Sequence, residues 1–220
     1  MNSALSLVLS LPAILFVLTI HEYFHGYVAY RLGDPTAKYA GRLTLNPIKH
    51  IDVFGFLAFL FLRFGWAKPV PVDPQNFRDV KKGMIYTSLA GPLSNFLFAI
   101  PLGLLLRAFP ALLQNSLLLP IGGIIGFGLF YSLILCAFNL IPIPPLDGSN
   151  ALLSILPPRY AAVRFWLERY GFMLLLGLIM FDRISGIPLL WGWIGPFVEI
   201  FARAFAGTPA LASFIHKFII

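Results

Sequence analysis

Residues 19–26 read Thr-Ile-His-Glu-Tyr-Phe-His-Gly and end a long, nearly uncharged apolar run. On an α-helix, residues four apart share a face, so His21 and His25 can offer two imidazole nitrogens to one metal ion. Glu22 lies beside them, placed to take a proton from a metal-activated water. A carboxylate and two imidazoles are costly inside an apolar helix, so they indicate a functional site. The alternative is an ordinary helix whose histidines bond to neighbours, which leaves Glu22 unexplained.

The composition predicts an all-α polytopic membrane protein. Of the 220 residues, 59% are hydrophobic and 11% are charged, whereas a soluble domain carries about 25% charged residues. The length suits a single membrane-embedded domain over 1–220, with a core at about 4–156 and C-terminal helices at about 157–220. The single cysteine excludes a disulfide within the chain. The net charge of +7 indicates basic loops that face the cytoplasm and anionic lipid, not nucleic acid.

Three long apolar runs predict core transmembrane helices at about 4–30, 83–106 and 117–140. The first is predicted to be a retained helix and not a signal peptide, because it lacks a basic start and a cleavage site. One or two C-terminal spans are expected, at about 166–180 and at 187–205; the second of these runs contains Pro188, Pro196 and Glu199. The tail, residues 206–220, is expected at the membrane interface.

The segment between the first two spans lacks a long apolar run and is not predicted to form a transmembrane helix. Partial alternation over residues 36–45 predicts one or two short strands. Residues 51–64 are apolar but too few to span, which predicts an interfacial or re-entrant segment. The three prolines within residues 67–74 favour extended backbone. Irregular backbone at membrane depth requires protein around it, so we expect this small β or re-entrant region to pack over or into the site.

The distribution of basic residues predicts the topology. Nine of the sixteen lysines and arginines lie between the first two spans: Arg31, Lys38, Arg42, Lys49, Arg63, Lys68, Arg78, Lys81 and Lys82. The positive-inside rule then places residues 31–82 and 141–169 in the cytoplasm and the N-terminus outside. Under this topology His21, His25 and Asp147 all lie near the cytoplasmic side.

A catalytic zinc ion needs a third protein ligand besides two histidines. The remaining candidates are His50 and Asp52, which follow Asn46-Pro47 in the segment between the first two spans, and Asp147, which follows the third span. Spacing does not choose among them. Asp147 could instead cap a short helix, and His50 and Asp52 could belong to an exposed polar loop. His216 lies in the tail and is interpreted as an interfacial residue.

Three motifs together resemble the site-2 protease family of intramembrane zinc metalloproteases. They are His21-Glu22-x-x-His25, Gly91-x-x-x-Asn95, and Asn139-x-x-Pro142-x-Pro144-Pro145-Leu146-Asp147-Gly148, in the family's order. Two further stretches resemble its compact prokaryotic branch, which lacks a PDZ domain: Gly33-Asp34-Pro35 and the run from Arg42 to Asp52.

The resemblance implies one Zn²⁺ per chain, bound by His21, His25 and Asp147. It implies that Glu22 is the general base and then the acid, and that Asn95 and Asn139 position substrate or stabilise an oxyanion. His50 and Asp52 stay open as an extra ligand or as partners of the ligands. The function so implied is cleavage of membrane-anchored proteins within or near their transmembrane segments. A non-hydrolytic membrane carrier or metal-binding regulator is the alternative, and it has no need of Glu22.

Overall fold

The structure is a computed structural model that describes residues 3–62 and 65–218. The described chain is helical, and its extended segments form one isolated β-bridge, between Ile51 and Ala67. Three short 3₁₀ turns occupy Pro47–His50, Pro74–Asn76 and Pro158–Tyr160. The helices are α1 (Ser3–Arg31), α2 (Thr36–Tyr39), α3 (Val53–Leu62), α4 (Val80–Ala108), α5 (Ala111–Gln114), α6 (Leu119–Asn139), α7 (Asp147–Ile155), α8 (Ala161–Ser185), α9 (Leu189–Ala206) and α10 (Thr208–Phe218).

Four of the described helices, α1, α4, α6 and α9, are long and apolar enough to cross a membrane. The chain is therefore a multi-pass membrane protein, and the three predicted core spans are confirmed as α1, α4 and α6. These three helices pack against one another, and α9 packs on α4 and α6. Their mutual contacts bury a core that includes Leu129, Leu133 and Ala202.

Small residues let the helices approach closely. Gly122, Gly123, Gly126 and Gly128 of α6 are all buried. A Cβ at Gly126 would lie 2.2 Å from the ring of Phe214 in α10, so only glycine admits this contact. Phe214 is 1% exposed. The tail, which was expected at the membrane interface, contains α10, and one face of this helix packs into the core.

Of the two candidate C-terminal spans, the structure supports one, at 187–205. The described residues 166–180 belong to α8, which is not among the four membrane-crossing candidates, whereas 187–205 form the spanning helix α9. Charged residues near both ends of α8 leave too short an apolar stretch: Arg164, Glu168, Arg169, Asp182 and Arg183.

The carboxylate of Asp182, near the end of α8, accepts hydrogen bonds from the first two N–H groups of α9. The Trp193 indole of α9 donates to the Ala137 carbonyl near the end of α6. The end of α6 and the start of α9 therefore lie at the same end of the bundle, and α7 and α8 connect them there.

The prediction of short strands within residues 36–45 is wrong. Residues 36–39 form α2, and the chain then turns. Asp34 is the reason, because its carboxylate accepts hydrogen bonds from both the backbone N–H and the hydroxyl of Thr36. This local bonding favours a helical turn over an extended one. Within the apolar run at 51–64, residues 53–62 form the short helix α3, and Arg63 and Phe64 lie outside the described residues.

Asp34 also ties the loop after α1 to the segment that precedes α4. It is 0% exposed. Besides Thr36, it accepts hydrogen bonds from the Asp73 backbone N–H at 2.8 Å and from the Asn76 amide at 2.9 Å. Burial raises the pKa of Asp34, but these hydrogen bonds outweigh it and hold the pKa below its ordinary value.

We expect Asp34→Ala to destabilise the fold by ~2–4 kcal/mol, because it leaves several donors without a partner. Asp34→Asn should cost less, since one amide oxygen remains as an acceptor. The pKa is depressed in the folded state, so the stabilisation is present above the unfolded pKa and is lost as the pH falls through the folded one. Thermal unfolding in detergent micelles from pH 7 to pH 3 measures both effects. Equal acid sensitivity in wild type and Asp34→Ala would contradict this account.

Candidate metal centre

Three potential metal ligands converge where α1 meets the start of α7. His21 Nε2 lies 3.0 Å from His25 Nε2. Asp147 Oδ2 lies 3.1 Å from His21 Nε2 and 3.3 Å from His25 Nε2. The two histidines share a face of α1 because they are four residues apart. Asp147 comes from the first turn of α7, whose N-cap is Leu146, so it does not cap this helix.

The donor atoms fit a zinc ion. Zinc bonds of about 2.0–2.2 Å in tetrahedral geometry place ligand atoms roughly 3.3–3.6 Å apart, close to the separations found here. Asp147 Oδ2 is buried without a hydrogen-bond partner among the described residues, which fits an oxygen that ligates a metal ion. Two imidazoles and a carboxylate are also a donor set typical of catalytic zinc.

The backbone of α4 orients His25. Its Nδ1 lies 2.6 Å from the Thr87 carbonyl oxygen, which can only accept. The proton of the neutral ring therefore sits on Nδ1, and Nε2 keeps its lone pair for the metal.

Asn95 holds the ring of His21 in the same way. This asparagine of α4 is 0% exposed, and its side-chain amide lies 3.1 Å from His21 Nδ1. A ring that ligates through Nε2 carries its proton on Nδ1 and needs an acceptor there. The Asn95 oxygen, which is buried without a partner among the described atoms, reaches that position when the amide turns by 180°. That orientation satisfies both groups.

Gly91 makes room for the site. A Cβ at this position of α4 would lie 2.3 Å from His25 Nε2 and 2.7 Å from His21 Nε2. Both distances are far inside van der Waals contact, so α4 can approach the two rings only through a residue without a side chain. Gly91 and Asn95 are one helical turn apart, which explains their spacing in the second motif.

Glu22 meets the proline-rich segment that the sequence placed near the site. Its side chain is 9% exposed, and its Oε2 accepts a hydrogen bond of 2.8 Å from the backbone N–H of Val70. The expectation that residues 67–74 pack over or into the site is therefore confirmed. Val70 and Thr87 were not among the predicted site residues, because both act through backbone atoms. Val70 did carry one signal, since it is the single N–H donor between Pro69 and Pro71.

The other candidate residues lie outside the convergent group. His50 is 2% exposed, and its Nε2 donates to the Thr44 carbonyl at 2.8 Å. Asp52 accepts a hydrogen bond from the Gly55 N–H at the start of α3. Asn139 donates to the Leu135 carbonyl of its own helix. Among the described residues, the group that could hold a metal ion contains His21, His25 and Asp147.

Three relatives of known name resemble the chain. A Bacillus subtilis protein named "Putative zinc metalloprotease YwhC" is 39% identical over 176 residues, which cover 79% of this chain and 80% of that protein. The chain belongs to this family of zinc metalloproteases. "Putative zinc metalloprotease Rip2" of Mycolicibacterium smegmatis is 31% identical, over 78% of this chain and 66% of the relative. "Putative zinc metalloprotease MJ0611" of Methanocaldococcus jannaschii is 32% identical, over 68% and 72%.

The membership fits the compact, site-2 protease-like family that the three motifs resemble. No protein-family model matches the chain, and no solved structure matches it significantly. In a zinc metalloprotease, the convergent side chains of His21, His25 and Asp147 are the group that could hold the Zn²⁺ cofactor.

The orientation of His21 predicts a measurable role for Asn95. We expect Asn95→Ala to weaken zinc binding by ~10- to 100-fold, because the His21 ring loses the partner that fixes its tautomer. Asn139→Ala is the matched control, since its amide bonds only to the Leu135 carbonyl among the described residues. Competition with a zinc chelator measures both affinities. Equal zinc affinity of Asn95→Ala and wild type would show that Asn95 does not orient His21.

Proposed function

We propose that this metalloprotease is an intramembrane endopeptidase that hydrolyses peptide bonds within or near transmembrane segments of other proteins. The observation that carries the proposal is the position of the metal-binding group. Its two histidines and Glu22 lie in a membrane-crossing helix, and its aspartate follows a second such helix. Groups as polar as these are expensive in a bilayer and indicate function there.

The chain's own residues supply the proton transfers. When bound, zinc lowers the pKa of water to about 7 and polarises the scissile carbonyl. Glu22 takes the proton of the attacking water and returns it to the leaving amine, as general base and then general acid. The carboxylate is held by Val70 and is largely shielded from solvent. Asn139 and Asn95 are candidates for contacting the oxyanion or the substrate; the contact of Asn95 with His21 favours a role through the metal ligand.

An apolar cavity beside the site supports a hydrophobic substrate. It has a volume of about 220 Å³ and lies between α1, α6 and the described residues 47–59 and 65–67. Its lining includes Leu15, Thr19, Phe59, Trp66 and Ile134. A cavity of this size and chemistry accepts a large apolar side chain, such as those that fill a transmembrane segment. A transmembrane helix must unwind locally before attack, because its carbonyls are hydrogen-bonded.

The proposal includes the cell membrane as location, with the site toward the cytoplasm and the N-terminus outside. The concentration of basic residues between α1 and α4 supports this orientation. The partners are then the bilayer and a membrane-anchored protein substrate.

Reconstitution into liposomes tests the function. A labelled single-span membrane peptide with a helix-weakening Gly-Pro pair serves as substrate, and an unrelated soluble peptide serves as control. We expect cleavage of the membrane peptide alone, its loss after chelation, and its return with zinc. Cleavage confined to the soluble peptide would contradict intramembrane specificity. Zinc uptake into the liposomes without cleavage of either peptide would instead favour the carrier alternative.

A further inference from the structure

Residues 67–73 form an extended strap across the proposed site, and both of its ends are fixed. At one end, Ala67 forms the β-bridge with Ile51, and the Lys68 N–H donates to the His50 carbonyl at 2.9 Å. At the other end, the Asp73 N–H donates to Asp34. The strap is therefore attached to the fold on either side of its central residue, Val70.

A buried arginine adds a second bond at the first end. Arg42 is 8% exposed, and its Nη2 donates to the Lys68 carbonyl at 2.6 Å. The peptide groups of Lys68 are thus bonded through both the N–H and the carbonyl. This leaves little freedom two residues further on, at Val70.

The prolines of the strap leave one donor to face the site. Pro69 and Pro71 have no backbone N–H and are exposed, whereas Val70 between them is 8% exposed. The Val70 side chain is directed at α1, because a Cβ at Gly26 would lie 3.1 Å from Val70 Cγ1. Its N–H is bonded to Glu22 Oε2. A proline-flanked residue in extended backbone loses little further entropy when it makes this bond.

We propose that the strap is a positioning element for Glu22, in which the Val70 N–H fixes one carboxylate oxygen and leaves the other to exchange the proton. The inference rests on the proposed function, and it assigns Val70 a role that acts through Glu22. Oε2 is occupied by the N–H, and Oε1 has no hydrogen bond to any described residue. A fixed carboxylate needs no reorientation when the proton moves, which favours the transition state.

The most specific test removes only the backbone N–H of Val70. Replacing Val70 by its α-hydroxy analogue, through nonsense suppression, converts the amide N–H to an ester oxygen and keeps the side chain. We expect kcat for the membrane peptide to fall by ~10- to 100-fold, with KM within about twofold and zinc content unchanged. The matched control is the same ester at Val72, whose N–H has no bond among the described residues.

A second measurement does not depend on cleavage. The Val70 amide should exchange slowly with deuterium in the metal-free protein, and at least about tenfold faster in Glu22→Ala. Unchanged exchange in Glu22→Ala would overturn the contact, and a wild-type kcat for the Val70 ester would overturn the positioning role. If wild type cleaves no membrane peptide, the proposed function fails, while the exchange experiment still decides whether the strap holds Glu22.

Discussion

Glu22→Gln should lower peptide hydrolysis by about a thousandfold, within the range of roughly 10²–10⁴ for loss of a general base. Glutamine has nearly the same shape as glutamate, and its amide oxygen can still accept the Val70 N–H. The amide cannot take a proton from water at neutral pH. The strap, the helix and the metal ligands therefore stay in place, and the proton transfers alone are lost.

The zinc content of Glu22→Gln distinguishes the loss of a general base from the loss of the metal site. Glu22 is not one of the three convergent ligands, so Glu22→Gln should bind one zinc ion per chain as wild type does. Loss of both zinc and activity would indicate a structural role for Glu22. Retention of zinc together with full cleavage would exclude Glu22 as the general base. Metal analysis of the purified protein and the liposome cleavage assay provide the two measurements.

Gly91→Ala should weaken zinc binding by at least about 100-fold, and with it abolish activity, since the change displaces two ligands at once. The added methyl group would lie 2.3 Å from His25 Nε2 and 2.6 Å from His21 Cε1. Neither ring can move away freely, because His25 is bonded to Thr87 and His21 to Asn95. Alanine favours a helix over glycine by about 1 kcal/mol, so weaker helix formation would not explain the loss.

Gly177→Ala is the matched control for this change. Gly177 lies inside α8, and a Cβ there meets nothing within 4 Å among the described atoms. We expect this variant to bind zinc and to cleave substrate as wild type does, with equal or higher thermal stability. Isothermal titration with zinc compares the two glycine variants. Normal zinc affinity in Gly91→Ala would show that α4 can move away from the site.

Long apolar runs predicted the core spans, because the length of such a run is itself what allows a helix to cross a bilayer. A bilayer requires about twenty consecutive apolar residues, and α1, α4 and α6 meet that requirement within their own sequence. The same reasoning misjudged α8, whose apolar centre is shortened by charges at both ends. It also misjudged residues 36–45, where the carboxylate of Asp34 outweighs a weak strand pattern.

The sequence by itself determined a membrane protein with a two-histidine metal face on its first helix, because i, i+4 spacing is a property of one helix. It did not choose among His50, Asp52 and Asp147, since they are distant from His25 in sequence and the choice depends on how helices pack. In the tertiary structure Asp147 lies beside the two histidines, and Gly91 packs against their rings. The Val70 N–H donates a hydrogen bond to Glu22. Such contacts join distant segments, often through backbone atoms common to every residue, so no local pattern encodes them.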